Sequence, residues 1–339
     1  MARNVVCVVV LLALAAAAAP APSEAAPPVT RGSIERFDPR LDELIAPDAS
    51  LELIADGFHW VEGPVWDKRE GCLYFSDIPA NAVYRWRQGE GTREYLRPAG
   101  YTGLQPFEGR EPGSNGLAID SQGRLILCEH GDRRVRRLEK DGSKTTLADR
   151  YLGKRLNSPN DCALRSDGTL CFTDPPFGLR QAFDDPAREL EFCGVYCVAP
   201  DGSLALLTRE LRAPNGLAFS PKEDVLYVSN ADRNHPVWMA YAVSANGGLD
   251  AGRVFASAAR WIGKRAGGPD GIKVDQGGHV FAAGPGGVYV LSPDGTHLGT
   301  IVTNVATSNC AFGEDGSALF IAASTSIYRI RTSTQGVDW

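Results

Sequence analysis

The sequence predicts an all-β protein, a six-bladed β-propeller closed by an N-terminal strand in its last blade. Two observations lead to this fold class. A short polar-plus-small motif opens six successive runs of strand-like segments, and its copies start at Glu62, Asn115, Asn160, Asn215, Asp270 and Ser308. Turn dipeptides such as Asp141-Gly142, Asp167-Gly168 and Asp294-Gly295 separate apolar or alternating runs, which is a strong short-range signal for β-hairpins.

The spacing of the motif predicts the blade architecture. Successive starts are 53, 45, 55, 55 and 38 residues apart, and periods near 40–50 residues with about four strands each are typical of propeller blades. The fourth copy shows the whole unit, since the strand-like segments NGLAFS, VLYVSN, VWMAYAV and RVFA follow one another from Asn215.

The last repeat is one strand short, because only CAFG, ALFIAA and SIYRIR follow Ser308. The segment 50–55, SLELIA, precedes the first repeat and belongs to no blade of its own. If it forms the outer strand of the last blade, the ring closes and no strand edge is left exposed. We therefore predict an N-terminal linker over residues 26–49, a propeller over residues 50–331 and a C-terminal tail over residues 332–339.

The first residues predict a secretory signal peptide. One arginine precedes an apolar run from Val5 to Ala19, and small residues and prolines follow it, with a plausible cleavage point after Ala25. The run has 15 residues, fewer than the roughly 20 that a membrane-spanning helix needs. We expect an exported protein, periplasmic or secreted, that has no membrane segment once residues 1–25 are removed.

Charge and composition argue against a nucleic-acid partner. The formal net charge is −6 and 22% of the residues are charged, whereas nucleic-acid binding favours a basic surface. The basic cluster at residues 133–137, RRVRR, does not extend into a larger basic patch in the sequence. We expect its side chains to be solvated on a pair of strands.

Seven cysteines remain beyond the signal segment, at positions 72, 128, 162, 171, 193, 197 and 310. An odd number in an exported chain leaves at least one free thiol or an intermolecular bond. Most lie in apolar strand runs, where cysteine behaves as a small buried hydrophobe, and the CxxxC at 193–197 lacks the histidine partners of a zinc site. Cys162 and Cys171 flank one hairpin turn and are the first pair to test for a disulfide.

The six motif starts predict a metal site on the axis of the ring. The inner strand of each blade lines the central channel, so equivalent positions converge at one mouth. Two carboxylates, three amides and one hydroxyl offer only oxygen, which suits a hard divalent cation with six to eight ligands. Calcium is favoured over magnesium because it tolerates irregular geometry and amide carbonyls. The alternative is that these residues only cap turns.

The strings EGPVW, SNGLAID, LNSPND, TDPPFG, PNGLAFS and GPDGIKVD closely resemble the gluconolactonase/regucalcin (senescence-marker protein) family of six-bladed propellers. The resemblance extends over about residues 50–331, and LNSPND and TDPPFG resemble its bacterial gluconolactonase branch. It implies a divalent metal ion, usually calcium, held on the axis by Glu62, Asn160, Asn215 and Asp270. Asn115 and Ser308 then remain as channel-lining residues for substrate or water contacts.

The same resemblance implies hydrolysis of a sugar lactone as the function. A bound cation can polarise the lactone carbonyl and stabilise the charge that develops on its oxygen, while a water molecule attacks the carbonyl carbon. Asp270 is the candidate base for the proton of that water. Two alternatives stay open, namely a metal-dependent phosphotriesterase on the same scaffold and a non-catalytic binding propeller, since a fold alone does not define a function.

Three further features surround the predicted site. His130, in CEHGDRRV, is expected at the end of the second strand of blade 2, and it is a candidate substrate contact or a structural hydrogen-bonding histidine. From there it would reach the channel mouth only through a loop. Asp174, in TDPPFGL, could orient a lid, hold a second ion or accept hydrogen bonds from a turn. The long connections 97–113 and 177–192 are candidate lids, because binding residues favour loops on a rigid scaffold.

Overall fold

The computed structural model describes Met1 and residues 31–337 of the chain. The predicted signal peptide, apart from Met1, therefore lies outside the described residues, as do the last two residues of the predicted C-terminal tail. Within the described part, no helix combines the length and the apolar character needed to cross a membrane.

The described chain forms six antiparallel sheets arranged as propeller blades, which confirms the predicted fold class. An N-terminal segment comes first, with β1 (Ser33–Arg36), the short helix α1 (Leu41–Leu44) and β2 (Glu52–Ala55). Blade 1 contains β3 (Val61–Asp67), β4 (Cys72–Asp77), β5 (Ala82–Arg87) and β6 (Gly91–Leu96), and blade 2 contains β7 (Ser114–Ile119), β8 (Leu125–Glu129), β9 (Arg134–Leu138) and β10 (Lys144–Ala148). A small hairpin of β11 (Arg150–Tyr151) and β12 (Lys154–Arg155) follows. Blade 3 contains β13 (Cys162–Leu164), β14 (Leu170–Asp174), β15 (Gly194–Val198) and β16 (Leu204–Thr208).

Blades 4 to 6 continue the same pattern from the inside of the ring outward, and a 3-10 turn at Ala182–Asp184 lies between β14 and β15. Their strands are β17 (Pro214–Phe219), β18 (Val225–Asn230), β19 (Val237–Ala242) and β20 (Arg253–Ser257); β21 (Ile272–Val274), β22 (Val280–Gly284), β23 (Gly287–Leu291) and β24 (His297–Val302); and β25 (Thr307–Gly313), β26 (Ala318–Ala323) and β27 (Ser326–Arg331).

The N-terminal segment completes the last blade, as the sequence predicts. β2 pairs antiparallel with β27 in the register Glu52 to Arg329 and becomes the outermost strand of blade 6. The predicted linker 26–49 also takes part in the ring, because β1 pairs with β24 and adds a fifth strand to blade 5. Leu41 and Leu44 of α1 are buried in the apolar layer between blades 5 and 6.

Apolar layers between neighbouring blades hold the ring together. Each of the six blade interfaces has its own buried cluster. Between blades 6 and 1, for example, Phe320 stacks on Trp66 with ring centroids 5.3 Å apart and also contacts Trp86. Since every blade packs on both faces, second strands such as β4 and β26 are buried at every residue, and their sequences are mostly apolar.

The disulfide of blade 3 differs from the pair that the hairpin suggested. Cys171 bonds to Cys197, which lies directly opposite it on β15. Cys162 does not bond to Cys171, because the register pairs Cys162 with Phe172 and side chains alternate between faces along a strand. The free cysteines among the described residues are all buried, at positions 72, 128, 162, 193 and 310.

The basic cluster of blade 2 is paired with acidic groups and is more enclosed than the sequence suggested, because its arginine side chains are buried or only partly exposed. Glu129 is fully buried and accepts hydrogen bonds from Arg134 Nε at 3.0 Å, Arg136 Nε at 2.9 Å and Lys144 Nζ at 3.1 Å. A buried carboxylate requires such partners. The charges of this cluster therefore stabilise the blade.

Candidate functional site

The six motif starts lie next to one another around the axis, because each inner strand contacts the next. Gly116 donates its N–H to the Asn160 carbonyl at 2.7 Å, and Gly271 donates to the Ser308 carbonyl at 2.8 Å. Thr173 donates its hydroxyl to the Asn215 carbonyl at 2.7 Å. The Ser308 hydroxyl donates to the Val61 carbonyl at 2.7 Å and so links blade 6 to blade 1. Ser308 is thus engaged within the ring itself.

Local backbone irregularity turns the motif side chains toward the axis. In four blades the register of the inner strand shifts at the motif start, as between Ser114 and Leu117 around Asn115. Such a bulge bends a strand and changes the direction of its side chains. In the other two blades, Asn160 and Asp270 precede the inner strand. Their backbone N–H groups donate hydrogen bonds to the Thr173 and Ala283 carbonyls, at 2.8 and 2.9 Å respectively.

Four of these side chains present an oxygen that has no hydrogen-bond partner in the fold. The Oδ1 atoms of Asn115, Asn160, Asn215 and Asp270 are all inaccessible to solvent and unpartnered. A buried polar atom left without a partner costs about 1–3 kcal/mol, and such atoms are rare in native proteins. Four of them at equivalent repeat positions are the arrangement expected for an electron-poor ligand on the axis.

The carboxyl groups of the site favour a cation. Glu62 is buried, and its Oε2 accepts from Gly63 N–H at 2.9 Å. Burial, with the nearby Asp161 carboxyl, raises the pKa of Glu62 to about 8. Burial, with the carboxyls of Glu62 and Asp161, also raises the pKa of Asp270 well above its ordinary value. A positive charge between them would favour their ionised forms.

The described residues include no grouping of three or more His, Cys, Asp and Glu side chains placed to hold a metal ion. An ion on the axis could take part of its coordination from amide oxygens. The unpartnered oxygens of Asn115, Asn160 and Asn215 supply that type of ligand, and amide carbonyls are ordinary ligands of calcium.

A second layer beneath the motif starts was not predicted from the sequence. The residue after each start is glycine in four copies, whereas blades 3 and 6, which lie opposite each other in the ring, have Asp161 and Asn309. Asn309 Nδ2 donates to Asp161 Oδ2 at 3.2 Å across the axis. A Cβ on Gly116 would lie 2.5 Å from Asp161 Oδ1, and one on Gly271 would overlap the Asn309 amide. The glycines leave room for the two polar side chains.

His130 lies directly beside one of the motif starts. Its Nδ1 is 2.7 Å from Glu111 Oε2, and its Nε2 is 3.5 Å from Asn160 Nδ2. No intervening loop is needed, because β8 ends at Glu129 on the same mouth of the channel where the inner strands start. Glu111 had no signal of its own in the sequence, since it lies in the irregular connection 97–113.

The two long connections meet above this histidine. Arg110 donates its N–H to the Gly178 carbonyl at 3.1 Å, which joins connection 97–113 to connection 177–192. A Cβ on Gly178 would lie 2.8 Å from the Cβ of His130 and 3.0 Å from that of Ser158. The glycine of TDPPFG is therefore required by the close approach of that turn to His130.

Asp174 and Arg133 hold the turn that precedes Asn160. Asp174 Oδ2 accepts from Asn157 N–H at 2.8 Å. Asp174 is therefore a hydrogen-bond acceptor for the turn of LNSPND and not for its own Pro-Pro turn, which the sequence suggested. Burial raises the pKa of Asp174 to about 7. Arg133, also buried, donates through Nε to the carbonyls of Leu156 and Asn157 at 2.8 and 2.9 Å. The LNSPND string is thus fixed from both sides.

Comparison with known proteins finds relatives over most of the chain. The model of the family described as SMP-30/Gluconolactonase/LRE-like region matches residues 60–325. A gluconolactonase from Zymomonas mobilis is 40% identical over 314 residues, which cover 91% of this chain and 88% of the relative. A solved gluconolactonase from Xanthomonas campestris superposes with a TM-score of 0.79 at 35% identity, covering 92% of this chain and 99% of its own.

A more distant relative carries a different activity in its name. Diisopropyl-fluorophosphatase from Loligo vulgaris is 24% identical over 250 residues, which cover 69% of this chain and 75% of that protein.

Proposed function

This chain belongs to the SMP-30/gluconolactonase/LRE-like family, and on that premise we propose that it hydrolyses a sugar lactone, gluconolactone-like in its ring ester, at a divalent metal ion on the propeller axis. The observation that carries the proposal is the set of four buried, unpartnered oxygens on Asn115, Asn160, Asn215 and Asp270. The gluconolactonase relatives support the substrate class.

The donor set fits a hard cation, for which calcium is the best candidate. Glu62, Asn160, Asn215 and Asp270 would hold it, with two carboxylates to balance a divalent charge and two amides as neutral ligands. When bound, such an ion supplies a Lewis acid that polarises the lactone carbonyl. Asn115, whose Oδ1 is also free of partners, is the candidate contact for the substrate or a water molecule. His130 has no solvent exposure and contacts Asn160 instead.

Asp270 would act as the base of the reaction. It accepts one proton of a water molecule as the water oxygen bonds to the carbonyl carbon. The ring C–O bond then breaks, and the ring oxygen takes up the proton to become a hydroxyl, so the products are those of adding one water to the lactone. A bound cation would favour the ionised form of Asp270, which is the form that can accept the proton of the water.

We also propose that the protein works in an exported, oxidising compartment. The N-terminal segment 1–25 has the pattern of a secretory signal. The Cys171–Cys197 disulfide supports this location, because disulfides persist in exported proteins and are rare in the cytosol.

The experiment compares lactone and phosphotriester hydrolysis by the purified protein before and after metal depletion. We expect gluconolactone to be hydrolysed, the activity to vanish with chelator, and calcium to restore it. Activity on a phosphotriester alone would favour the alternative that the squid relative suggests, because the same Lewis acid can polarise a phosphoryl oxygen. Activity on neither would favour a binding propeller.

Two variants separate ligation from proton transfer. Asp270→Asn keeps an oxygen for the ion but removes the base, so it should still bind calcium and lose turnover. Asp270→Ala should lose both. Turnover at the wild-type rate in a metal-free Asp270→Ala protein would sink the mechanism.

A further inference from the structure

We infer that Glu111 and His130 orient the Asn160 amide so that its oxygen, and not its nitrogen, faces the axis. Both are positioning residues that act through Asn160. The inference rests on the proposed metal site, since it explains why one ligand of that site presents the correct atom.

The first step is the tautomer of the imidazole. His130 Nδ1 lies 2.7 Å from Glu111 Oε2, and an ionised carboxylate can only accept a hydrogen bond. Nδ1 therefore carries the hydrogen. In the neutral ring the other nitrogen, Nε2, is then an acceptor.

The second step is the orientation of the amide. Nε2 faces Asn160 Nδ2 at 3.5 Å, so the amide turns its donor end to the ring. A flipped amide would place the lone pairs of Oδ1 against that of Nε2. The amide oxygen is consequently left on the other side, where it is buried and has no partner in the fold.

The third step is rigidity. The His130 side chain has no solvent exposure, and Gly178 packs against it. Glu111 lies in connection 97–113, which is tied to Gly178 by the neighbouring Arg110. The imidazole of His130 therefore has no room to rotate away from Asn160. The loop that carries Glu111 thus determines which atom of the Asn160 amide faces the axis.

Calcium titration of the metal-depleted protein by calorimetry tests the inference. Partners that orient a metal ligand typically contribute about 10- to 100-fold in affinity. We expect Glu111→Leu and His130→Phe to weaken calcium binding by about tenfold or more. Glu111→Gln should retain most of the affinity, because its amide oxygen can still accept the Nδ1 hydrogen. If Glu111 acted only through its charge, Gln would be as weak as Leu, and the inference would be overturned.

A double-mutant cycle separates orientation from general structural damage. In an Asn160→Ala background Glu111 and His130 have no amide to orient, so Glu111→Leu should cost no further calcium affinity. Full additivity of the two changes would contradict the inference. This comparison holds even if His130→Phe fails to fold.

A matched control lies in blade 5, directly after its inner strand β21. Asp275 Oδ2 and His279 Nδ1 form a similar carboxylate–imidazole pair at 2.9 Å, and His279→Gln should leave calcium affinity unchanged. Wild-type protein that binds no divalent ion would overturn the proposed function. If the wild-type protein binds calcium and the Glu111 and His130 variants bind it with the same affinity, only the orientation by Glu111 and His130 would be overturned.

Discussion

Asn309 Nδ2 lies 3.2 Å from Asp161 Oδ2 and 3.4 Å from Glu62 Oε2, so one amide from blade 6 bridges carboxyl groups of blades 3 and 1. An amide nitrogen carries two hydrogens, and one is available for each carboxyl. The bridge fixes the position of Glu62 from below and closes the axis beneath the proposed ion.

Gly271→Ala should disrupt this bridge. The added methyl group would overlap the Asn309 amide, and overpacking of a closely packed interior costs about 1–3 kcal/mol. Urea unfolding should show a loss of stability of that size. Gly268→Ala is the control, because a Cβ at that position meets no atom within 4 Å. Equal stabilities of the two variants would show that Asn309 moves aside freely.

The metal-free protein should become less stable as the pH rises. Burial and Asp161 raise the pKa of Glu62 from 4.5 to about 8 in the folded state. A raised carboxyl pKa stabilises the fold below the unfolded value, and that contribution is lost as the pH rises through the folded value. Asp270 shifts in the same direction. The Tm of chelated protein should therefore fall between about pH 5 and pH 8.

Calcium should reverse that loss, so the Tm gain on adding calcium should grow over the same pH range. Glu62→Gln, which cannot ionise, is the control and should reduce the pH dependence of the chelated protein, leaving the part that Asp270 contributes. A Tm gain that shrinks as the pH rises would contradict ligation by these carboxylates.

Asn215→Ala should separate ion binding from stability. Because Asn215 Oδ1 has no partner in the fold, its removal should leave the Tm of the metal-free protein unchanged or slightly higher. The rise in Tm on adding calcium should disappear. Asn230→Ala offers the contrast, since Asn230 accepts from Ala213 N–H at 3.0 Å and donates to the His235 carbonyl at 2.8 Å. That variant should lose about 1–3 kcal/mol in the metal-free state.

Non-reducing peptide mapping should find Cys171 linked to Cys197 and Cys162 as a free thiol. Replacing both bonded cysteines by alanine should lower the free energy of unfolding by about 2–4 kcal/mol, the usual effect of losing a disulfide. Cys162→Ala alone should leave the crosslink intact. A peptide joining Cys162 to Cys171 would show that the register of this hairpin differs.

The ring and its polar mouth could be predicted because they are repeated. Six copies of one motif define the blades, and their shared first position selects Glu62, Asn115, Asn160, Asn215, Asp270 and Ser308. Asp161 and Asn309 were not predicted, although the repeats carry a signal for them. The residue after the motif start is glycine in four copies and polar in two copies that lie opposite each other. This pattern indicates that the glycines leave room at the axis for two polar side chains. The disulfide was missed because a one-residue change of register moves a side chain to the other face.

Glu111 and the setting of His130 could not be predicted by the same reasoning. Glu111 lies in a connection that has no counterpart in other repeats, and its contact with His130 depends on how that loop folds over the channel mouth. Likewise, the pairing of Arg134 and Arg136 depends on Glu129, a single acid whose sequence neighbours do not show that it is enclosed.

The closure of blade 6 by β2 also affects the order of folding. Arg329 pairs with Glu52, which is 277 residues away in the chain, and contacts of such separation carry a high loop-closure entropy and form late. Glu62 and Asn309 flank this closing seam, on blades 1 and 6. In stopped-flow refolding, calcium uptake should therefore follow the formation of the individual blades. Until both ends of the chain have met, the proposed ion has no complete binding site.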